Sequence, residues 1–320
     1  MTTLLLTRGQ VEALLDPLAV APALREAFID YSRQKSFRGL RARADLPSSG
    51  TATVLFPGTS AGIPIFTVKV HSKFPDQNPA IRGVLCLHDL ETGDLLAVMD
   101  STHLTAVRTG LSGALAADVL ARPGADTVAV LGAGVQGRHQ LMSLSALRPI
   151  RHVTVYDTAD GVADRFATEM KLGMGLTVEP SPSVAAAVRD AGTVLVATWS
   201  REPLILPGML SRGAHVPTLG ADEPGKVEVS ADVIRASLFF CDDAALAVEM
   251  GALAGAGLSS DQVAAELGEV LAGKHPGRTS PDQVTIYGGV GLAFQDAVCA
   301  WHLYQAARNK GIGQEIDFLG

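Results

Sequence analysis

The stretch IPIFTVKV, residues 63–70, places one charged side chain, Lys69, among uncharged and mostly β-branched or aromatic residues. Its length and composition are typical of a buried strand. A lysine inside such a strand must reach water, pair with an anion or give up its charge, because burying an unpaired ammonium is costly. Lys69 is therefore a candidate for binding an anion or for carrying a proton.

Further cations lie close to apolar sequence. Arg43 follows Arg41 at the edge of a strand-rich region, and Arg108 interrupts the helical stretch LTAVRTGLSGALAA. Taken alone, each would be interpreted as a surface side chain whose aliphatic part packs on the protein while its charged group reaches water. Two or three cations that converge on one pocket would instead bind a carboxylate, since arginine offers a bidentate fork and lysine a point charge.

A glycine-rich loop, VAVLGAGVQGRHQ, carries a second kind of chemistry. Gly132, Gly134 and Gly137 follow the spacing G-x-G-x-x-G directly after a strand and at the start of a helix. The first glycine allows the tight turn, the second lets a diphosphate approach the backbone, and the third lets the helix pack on the strand. We predict a dinucleotide diphosphate at this helix N-terminus, with Val135 and Gln136 among the binding residues.

Asp157 ends the next strand, HVTVYD, where dinucleotide-binding folds place an acidic residue. Its carboxylate would accept hydrogen bonds from a ribose diol and repel a 2′-phosphate. The sequence therefore favours NAD over NADP as the cofactor, and leaves NADP as the alternative. The other interpretation is an ordinary surface aspartate.

The elements that must position these residues fall into two kinds. After an N-terminal stretch with helical spacing, residues 41–99 show short strands separated by Gly and Pro, as in hairpins, and a long helix follows with Ser101 or Thr102 as its cap. From residue 126 apolar strands alternate with helices, which is typical of a parallel sheet covered on both faces. The last segment, GLAFQDAVCAWHLYQAARNKG, reads as an amphipathic helix that returns to the first domain.

We therefore predict an α/β protein: a Rossmann doubly wound parallel sheet, and an α+β substrate and dimerisation domain that the C-terminal helix completes. The predicted boundaries are 1–118 with 293–320 for the substrate domain, and 119–292 for the Rossmann domain.

Composition excludes several classes of protein. The chain has 320 residues, of which 47% are hydrophobic and 18% charged, so it can bury two cores. Its net charge of −7 and lack of a basic stripe argue against nucleic-acid binding. No run of uncharged apolar residues is long enough to span a membrane. The three cysteines have neither metal-binding nor disulfide spacing, so we expect a cytoplasmic protein without a metal site.

The order of the motifs resembles the ornithine cyclodeaminase/mu-crystallin family. The resemblance rests on the lysine strand TVKV, the segment GVLCLHDLETGDLLAVMDSTHLTAVRTGLSGALAA, the loop GAGVQGRHQ and the later GADEPGKVEV, and it spans nearly the whole chain. It implies a homodimer and a Rossmann domain set between two parts of a substrate domain.

The resemblance also implies roles for individual residues. Lys69 and Arg108 match the family residues that bind the substrate carboxylate, and an earlier arginine joins them. Arg43 is assigned as that third cation because Pro47 follows it at a family-like spacing, with Arg41 as the alternative.

Other roles implied by the resemblance concern the cofactor and the proton. Thr109 matches the threonine that contacts the cofactor diphosphate, and Thr198 completes the assigned cofactor-binding residues. Asp222 matches the catalytic acid, and Lys69 is a second candidate for moving the proton. The alternative for Asp222 is that it caps the next helix. Lys226 and Glu228 are read as scaffold.

The implied chemistry is hydride transfer between nicotinamide and the α-carbon of a small L-amino acid or cyclic imino acid, through an imine. An amino-acid dehydrogenase or an imino-acid reductase is favoured, because no acid that would recognise the distal amine of ornithine can be identified. Ornithine cyclodeaminase activity, giving proline and ammonia, is the alternative. A non-catalytic, crystallin-like protein that binds nucleotide and a small ligand is the alternative from another class.

Overall fold

The structure, a computed structural model, describes residues 2–34, 41–48, 50–77 and 79–318. Its strands, in chain order, are β1 Thr3–Leu6, β2 Ala42–Asp45, β3 Ala52–Thr59, β4 Ile65–Lys73, β5 Ile81–Asp89, β6 Leu95–Asp100, β7 Thr127–Leu131, β8 His152–Tyr156, β9 Val178–Pro180, β10 Thr193–Val196, β11 His215–Thr218, β12 Leu238–Cys241, β13 Val263–Glu266, β14 Thr285–Gly288 and β15 Gln314–Ile316.

The helices are α1 Arg8–Leu14, α2 Pro17–Gln34, α3 Ser101–Leu120, α4 Val135–Leu147, α5 Val162–Met174, α6 Val184–Val188, α7 Ala231–Arg235, α8 Ala244–Glu249, α9 Ala252–Ala256, α10 Leu267–Leu271 and α11 Ala293–Lys310, with a 3₁₀ turn at Ser260–Gln262. None of the helices in the described residues combines the length and the hydropathy that a membrane span requires.

The chain divides into two compact units. Unit 1 is Met1–Arg108 with Leu292–Gly320, and unit 2 is Thr109–Gly291. The first division falls inside α3, between Arg108 and Thr109, and so precedes the boundary expected at residue 118.

Unit 1 is built on a sheet with the strand order β15-β1-β6-β5-β4-β3-β2. The strands from β2 to β6 pair antiparallel in sequence order, as hairpins do, and β1 joins β6 in parallel. Alternation along β4 turns Ile65, Thr67, Lys69, His71 and Lys73 to the buried face. Helix α11 packs against α2, β3 and β4 within this unit.

Helix α3 begins at Ser101, and the residue before it supplies the cap. The Asp100 carboxylate accepts a hydrogen bond from the His103 N–H at 3.0 Å. The prediction of Ser101 or Thr102 as the cap was therefore wrong. An aspartate accepts such a bond as well as a hydroxyl does, and the strand β6 runs directly into the helix so that its last residue is the cap.

Unit 2 is built on a parallel sheet with the order β13-β12-β14-β11-β10-β7-β8-β9. Along β7, Ala129 and Leu131 enter one core while Val128 and Val130 enter another, so both faces of the sheet are covered. This explains why the strands read as continuous apolar runs. The chain passes from β7 to β8 on one side and to β10 on the other, which makes the carboxyl ends of β7 and β10 the switch point where such sheets bind ligands. The predicted fold class is confirmed.

Candidate functional site

In unit 1 the Lys69 side chain is fully buried, and it pairs with the carboxylate of Asp296. Its Nζ lies 2.5 Å from Asp296 Oδ2 and donates to Thr105 Oγ1 at 3.3 Å. It also lies 4.5 Å from the centre of the Phe56 ring. Strand β4 directs Lys69 inward, and α11 supplies the carboxylate that permits its burial.

Arg108, the last residue of unit 1 in α3, shares the same carboxylate. Its Nε donates to Asp296 Oδ1 at 3.2 Å, and its Nη1 donates to Gln295 Oε1 at 3.0 Å. The predicted convergence of Lys69 and Arg108 is therefore present in the structure.

The arginines at positions 41 and 43 lie in different surroundings. The Arg41 guanidinium lies 4.5 Å from the centre of the same Phe56 ring that Lys69 contacts. Arg43 forms an ion pair with Asp45 at 2.8 Å, and its side chain is 40% exposed. Of the two candidates for the third cation, the structure places Arg41 beside Lys69.

A chain of uncharged polar groups continues from Lys69. His71 Nε2 lies 2.8 Å from Ser101 Oγ and 3.4 Å from Thr105 Oγ1. Burial, followed by the charge of Lys69, lowers the pKa of His71 far below its ordinary value, so the imidazole is neutral. His71 therefore adds hydrogen-bonding groups and no charge to the cluster.

The electrostatics of the cluster favour proton exchange near neutral pH. Burial lowers the pKa of Lys69 to about 7, although the Asp296 carboxylate opposes this effect. Burial by itself raises the pKa of Asp296, but the charges of Lys69 and Arg108 outweigh it and bring that pKa below its ordinary value. Asp296 is thus a carboxylate at neutral pH, while Lys69 is poised between its charged and neutral forms.

In unit 2 the glycine loop has the geometry that its spacing predicts. Gly132 has φ +93°, and a Cβ there would lie 2.4 Å from the Ala197 carbonyl oxygen. A Cβ on Gly137 would lie 2.1 Å from the Gly132 carbonyl oxygen, whereas one on Gly134 would meet nothing within 4 Å. Gly132 and Gly137 thus serve the turn and the helix packing, and Gly134 leaves open space at the N-terminus of α4.

The groups around this loop fit a dinucleotide. Asp157 accepts hydrogen bonds from the Ala133 and Ala159 N–H groups, both at 2.9 Å, which leaves lone pairs on each oxygen for a ribose diol. Within the described residues, Gln136 Oε1 is buried without a hydrogen-bond partner. Val135 is 44% exposed as the first residue of α4.

Thr198 follows β10 and is held by a buried glutamate that sequence reading treated as scaffold. Glu228 Oε1 accepts from the Thr198 N–H at 2.6 Å and from Thr198 Oγ1 at 2.8 Å. Its Oε2 accepts from Thr218 Oγ1 at 2.6 Å and from the Gly220 N–H at 2.9 Å. Glu228 thereby joins the loops that follow β10 and β11. Thr109, half-buried, is the first residue of this unit in α3.

Asp222 follows β11 and pairs with Lys226 at 2.8 Å. The Lys226 ammonium also lies 3.5 Å from Glu223 and 4.0 Å from the centre of the Trp199 ring. Burial lowers the pKa of Lys226, but Asp222 and Glu223 outweigh it and raise that pKa. The next helix, α7, is capped by Ser230, so Asp222 does not cap it.

Sequence reading missed Asp296 as a partner of the cluster. It stands in the first turn of α11, where an acidic residue is ordinary. The sequence did contain a signal for Asp296, namely a charged residue on an otherwise apolar face, as for Lys69. The described residues contain no group of His, Cys, Asp or Glu side chains arranged to hold a metal ion.

Comparisons with known proteins show the family to which the chain belongs. The fold and glycine loop are those of a Rossmann protein, and residues 1–311 match the ornithine cyclodeaminase/mu-crystallin family. The chain belongs to that family. It is 30% identical to the alanine dehydrogenase of Archaeoglobus fulgidus, over 100% of this chain and 99% of that protein.

Two solved structures are similar over their whole length. One is an archaeal alanine dehydrogenase dimer with bound NAD, 29% identical, with a TM-score of 0.90 over 100% of both chains. The other is the Δ1-pyrroline-2-carboxylate reductase of Thermococcus litoralis in complex with NADH and L-proline. It is 28% identical, with a TM-score of 0.93 over 98% of this chain and 100% of that chain.

Replacing Glu228 with Gln should destabilise the protein. The amide cannot accept all four hydrogen bonds, since its NH₂ group would face at least one other donor. We expect a loss of about 1–3 kcal/mol in the free energy of unfolding, measured by denaturant titration. Glu202→Gln, at an exposed site in the same region, is the control and should change little. Equal stability of the two variants would contradict the role given to Glu228.

Proposed function

We propose that this protein is an NAD(H)-dependent oxidoreductase that acts on the C–N bond beside the carboxylate of a small L-amino acid or cyclic imino acid. The observation that carries the proposal is the convergence of the buried Lys69 and Arg108 in unit 1, with the half-buried Arg41 on the Phe56 ring that Lys69 also contacts. Lys69 and Arg108 share the one carboxylate of Asp296, so this pair keeps an excess of positive charge, which suits a substrate carboxylate. The amino- and imino-acid enzymes among its relatives support the same class of reaction.

Binding of the substrate carboxylate is assigned to Lys69, Arg108 and Arg41. Arg41 replaces Arg43 in this assignment because Arg41 shares the Phe56 ring with Lys69, while Arg43 is exposed and paired with Asp45. Arginine donors in a fixed fork would orient the substrate, and the lysine would add charge.

The cofactor is assigned to the glycine loop with Asp157, Thr198 and Thr109. Open space at Gly134, the free acceptor of Gln136 and the lone pairs of Asp157 all suit a dinucleotide. NAD(H) is preferred over NADP(H) because Asp157 would repel a 2′-phosphate. The nicotinamide supplies or accepts the hydride when bound, and the protein supplies orientation and proton transfer.

Asp222 is assigned the role of taking or giving the proton at the substrate nitrogen. It lies after a strand of the parallel sheet, at the end where such sheets bind ligands, and its side chain is 29% exposed. Lys226 forms an ion pair with it at 2.8 Å. Lys69, poised near neutral pH, is the competing proton carrier.

Reduction of an imine, or its reverse, is favoured over cyclodeamination. The carboxylate that influences Lys69 is Asp296, and it already pairs with two cations. A distal ammonium group would therefore find no spare acid among these described residues. Lys69, Arg108 and Asp222 are all present, which argues against a binding protein that has lost catalysis. NADH oxidation with a cyclic imino acid, or with a 2-oxo acid and ammonia, is the assay that applies.

The protein is also proposed to be a homodimer. Leu55, Val70 and Val84 form a row across β3, β4 and β5 on the sheet face opposite Lys69, and each is more than a third exposed. A second copy of the chain would cover this apolar row, and the dimeric alanine dehydrogenase is consistent with that arrangement.

Changing Asp157 to Ser should relax cofactor preference. The wild type should use NADH better than NADPH, and the variant should lose this preference by about tenfold, because the carboxylate no longer repels the 2′-phosphate. The measurement is kcat/KM for each cofactor. Asp160→Ser, on the same exposed loop, is the control. A wild type that already prefers NADPH would contradict the role proposed for the Asp157 carboxylate.

Arg41→Ala and Arg43→Ala form a matched pair. Arg41→Ala should raise KM for the imino acid by about tenfold or more, because a charged contact to the substrate is lost. Arg43→Ala should stay within about twofold of the wild type, since exposed ion pairs contribute little. NADH affinity should be unchanged in both. The reverse pattern would restore Arg43 as the third cation.

Asp222→Asn should fold and bind NAD(H) but lose turnover by roughly 10²–10⁴-fold, because the amide cannot exchange the proton. The pH profile of kcat should lose one limb. Glu223→Gln, which neutralises the adjacent carboxylate, is the control and should retain most of the turnover. Lys69→Met is the decisive comparison. If Asp222→Asn stays active and Lys69→Met loses the basic limb, the proton belongs to Lys69.

A further inference from the structure

Asp296 is a buried carboxylate, 1% exposed, in a protein proposed to bind a carboxylate substrate with the same cations. One of its oxygens accepts from Lys69 and the other from Arg108. A substrate with a carboxylate must bind beside this internal anion or displace it.

We propose that Asp296 is a positioning residue that keeps Lys69 charged and oriented for the substrate carboxylate, and thereby sets the pH range over which the enzyme binds its substrate. This inference rests on the proposed function.

The hydrogen-bond donors divide in a way that leaves room for a second carboxylate. Among the described residues, one of the three Lys69 donors goes to Asp296 and one to Thr105, so one is left. Within the same residues, one of the five Arg108 donors goes to Asp296 and one to Gln295, so three are left. Asp296 therefore fixes the orientation of both cations while leaving donors for the substrate.

The charges around Lys69 show what Asp296 contributes. Arg41 from the segment before β2 and Arg108 from α3 both disfavour its charged form. His71, on β4, is neutral. Cys299, on α11, is neutral as well, because burial raises the pKa of its thiol. Asp296 thus opposes two cations and desolvation, so without it Lys69 would lose its proton at a lower pH.

The test is the pH dependence of carboxylate binding in Asp296→Asn. The probe is pyrrole-2-carboxylate, a flat analogue that cannot be reduced by hydride, titrated into the NADH-loaded protein by calorimetry. Wild-type affinity should fall as the pH rises through about 7, because Lys69 loses its charge there. In Asp296→Asn the fall should begin at least one pH unit lower. Above the wild-type limb, affinity should then be weaker by about tenfold or more.

Two further variants separate positioning from mere packing. Gln295→Met removes the other partner of Arg108 in the same helical turn without changing charge. It should weaken binding at every pH and leave the limb in place. Asp296→Glu, which keeps the carboxylate, should retain a limb near the wild-type pH even if affinity falls.

The proposal is overturned if Asp296→Asn weakens binding at every pH without moving the limb, as Gln295→Met should. If Asp296→Asn fails to fold, Lys69→Met/Asp296→Asn removes both charges together. That variant should fold and bind weakly without a limb near pH 7, and a persisting limb would also overturn the proposal. Failure of the proposed function looks different: Lys69→Met and Arg108→Ala would then bind the probe as tightly as the wild type.

Discussion

The burial of Lys69 beside Asp296 is the constraint on which the first unit depends. An ammonium in an apolar interior costs several kcal/mol unless a close anion offsets it. Here the anion comes from α11, 227 residues further along the chain, and α3 adds Arg108 to the same carboxylate. Strand β4 and helices α3 and α11 are therefore fixed relative to one another by charge as well as by packing. Removing Asp296 would leave two buried cations without their carboxylate, which explains why the C-terminal helix must return to complete this unit.

The second unit positions its groups through the backbone of a parallel sheet. Gly132, Asp157, Thr198 and Asp222 each follow a strand, so the direction of the strands brings them to one edge. The buried carboxylate of Glu228 then joins two of these loops, and burial raises its pKa even though four donors surround it. A buried carboxylate organises each unit, one by gathering cations and the other by gathering N–H and O–H donors.

Much of this could be predicted from local sequence. The hairpin strands, the glycine loop, the alternation of strands and helices and the C-terminal helix all follow from periodicity and turn residues. The prediction that this helix is amphipathic was wrong for its first half, because every residue from Ala293 to Ala300 is buried. The strands β1, β13, β14 and β15 were not predicted. They have three or four residues each, and β14 enters the sheet between β11 and β12, a position that only long-range packing decides.

The site was predictable as far as its residues carry unusual local context. Lys69 stands out in an apolar strand, whereas Asp296 looks like an ordinary first-turn acid. Its significance appears only once α11 is packed against β4. The assignment of Arg41 over Arg43 also needed the structure, because it rests on the contact of Arg41 with the Phe56 ring of β3 and on the pairing of Arg43 with Asp45.

In the proposed reaction, hydride passes between the cofactor and the carbon that bears both nitrogen and carboxylate. The most direct test is to supply NADH deuterated at the transferring C4 position to the enzyme. The substrate is a cyclic 2-imino acid or, separately, a 2-oxo acid with ammonia, and the product is examined by NMR. We expect an L-amino or imino acid product with deuterium at the α-carbon. Absence of deuterated product with both substrate types, from a folded enzyme that binds NADH, would contradict the proposed reaction.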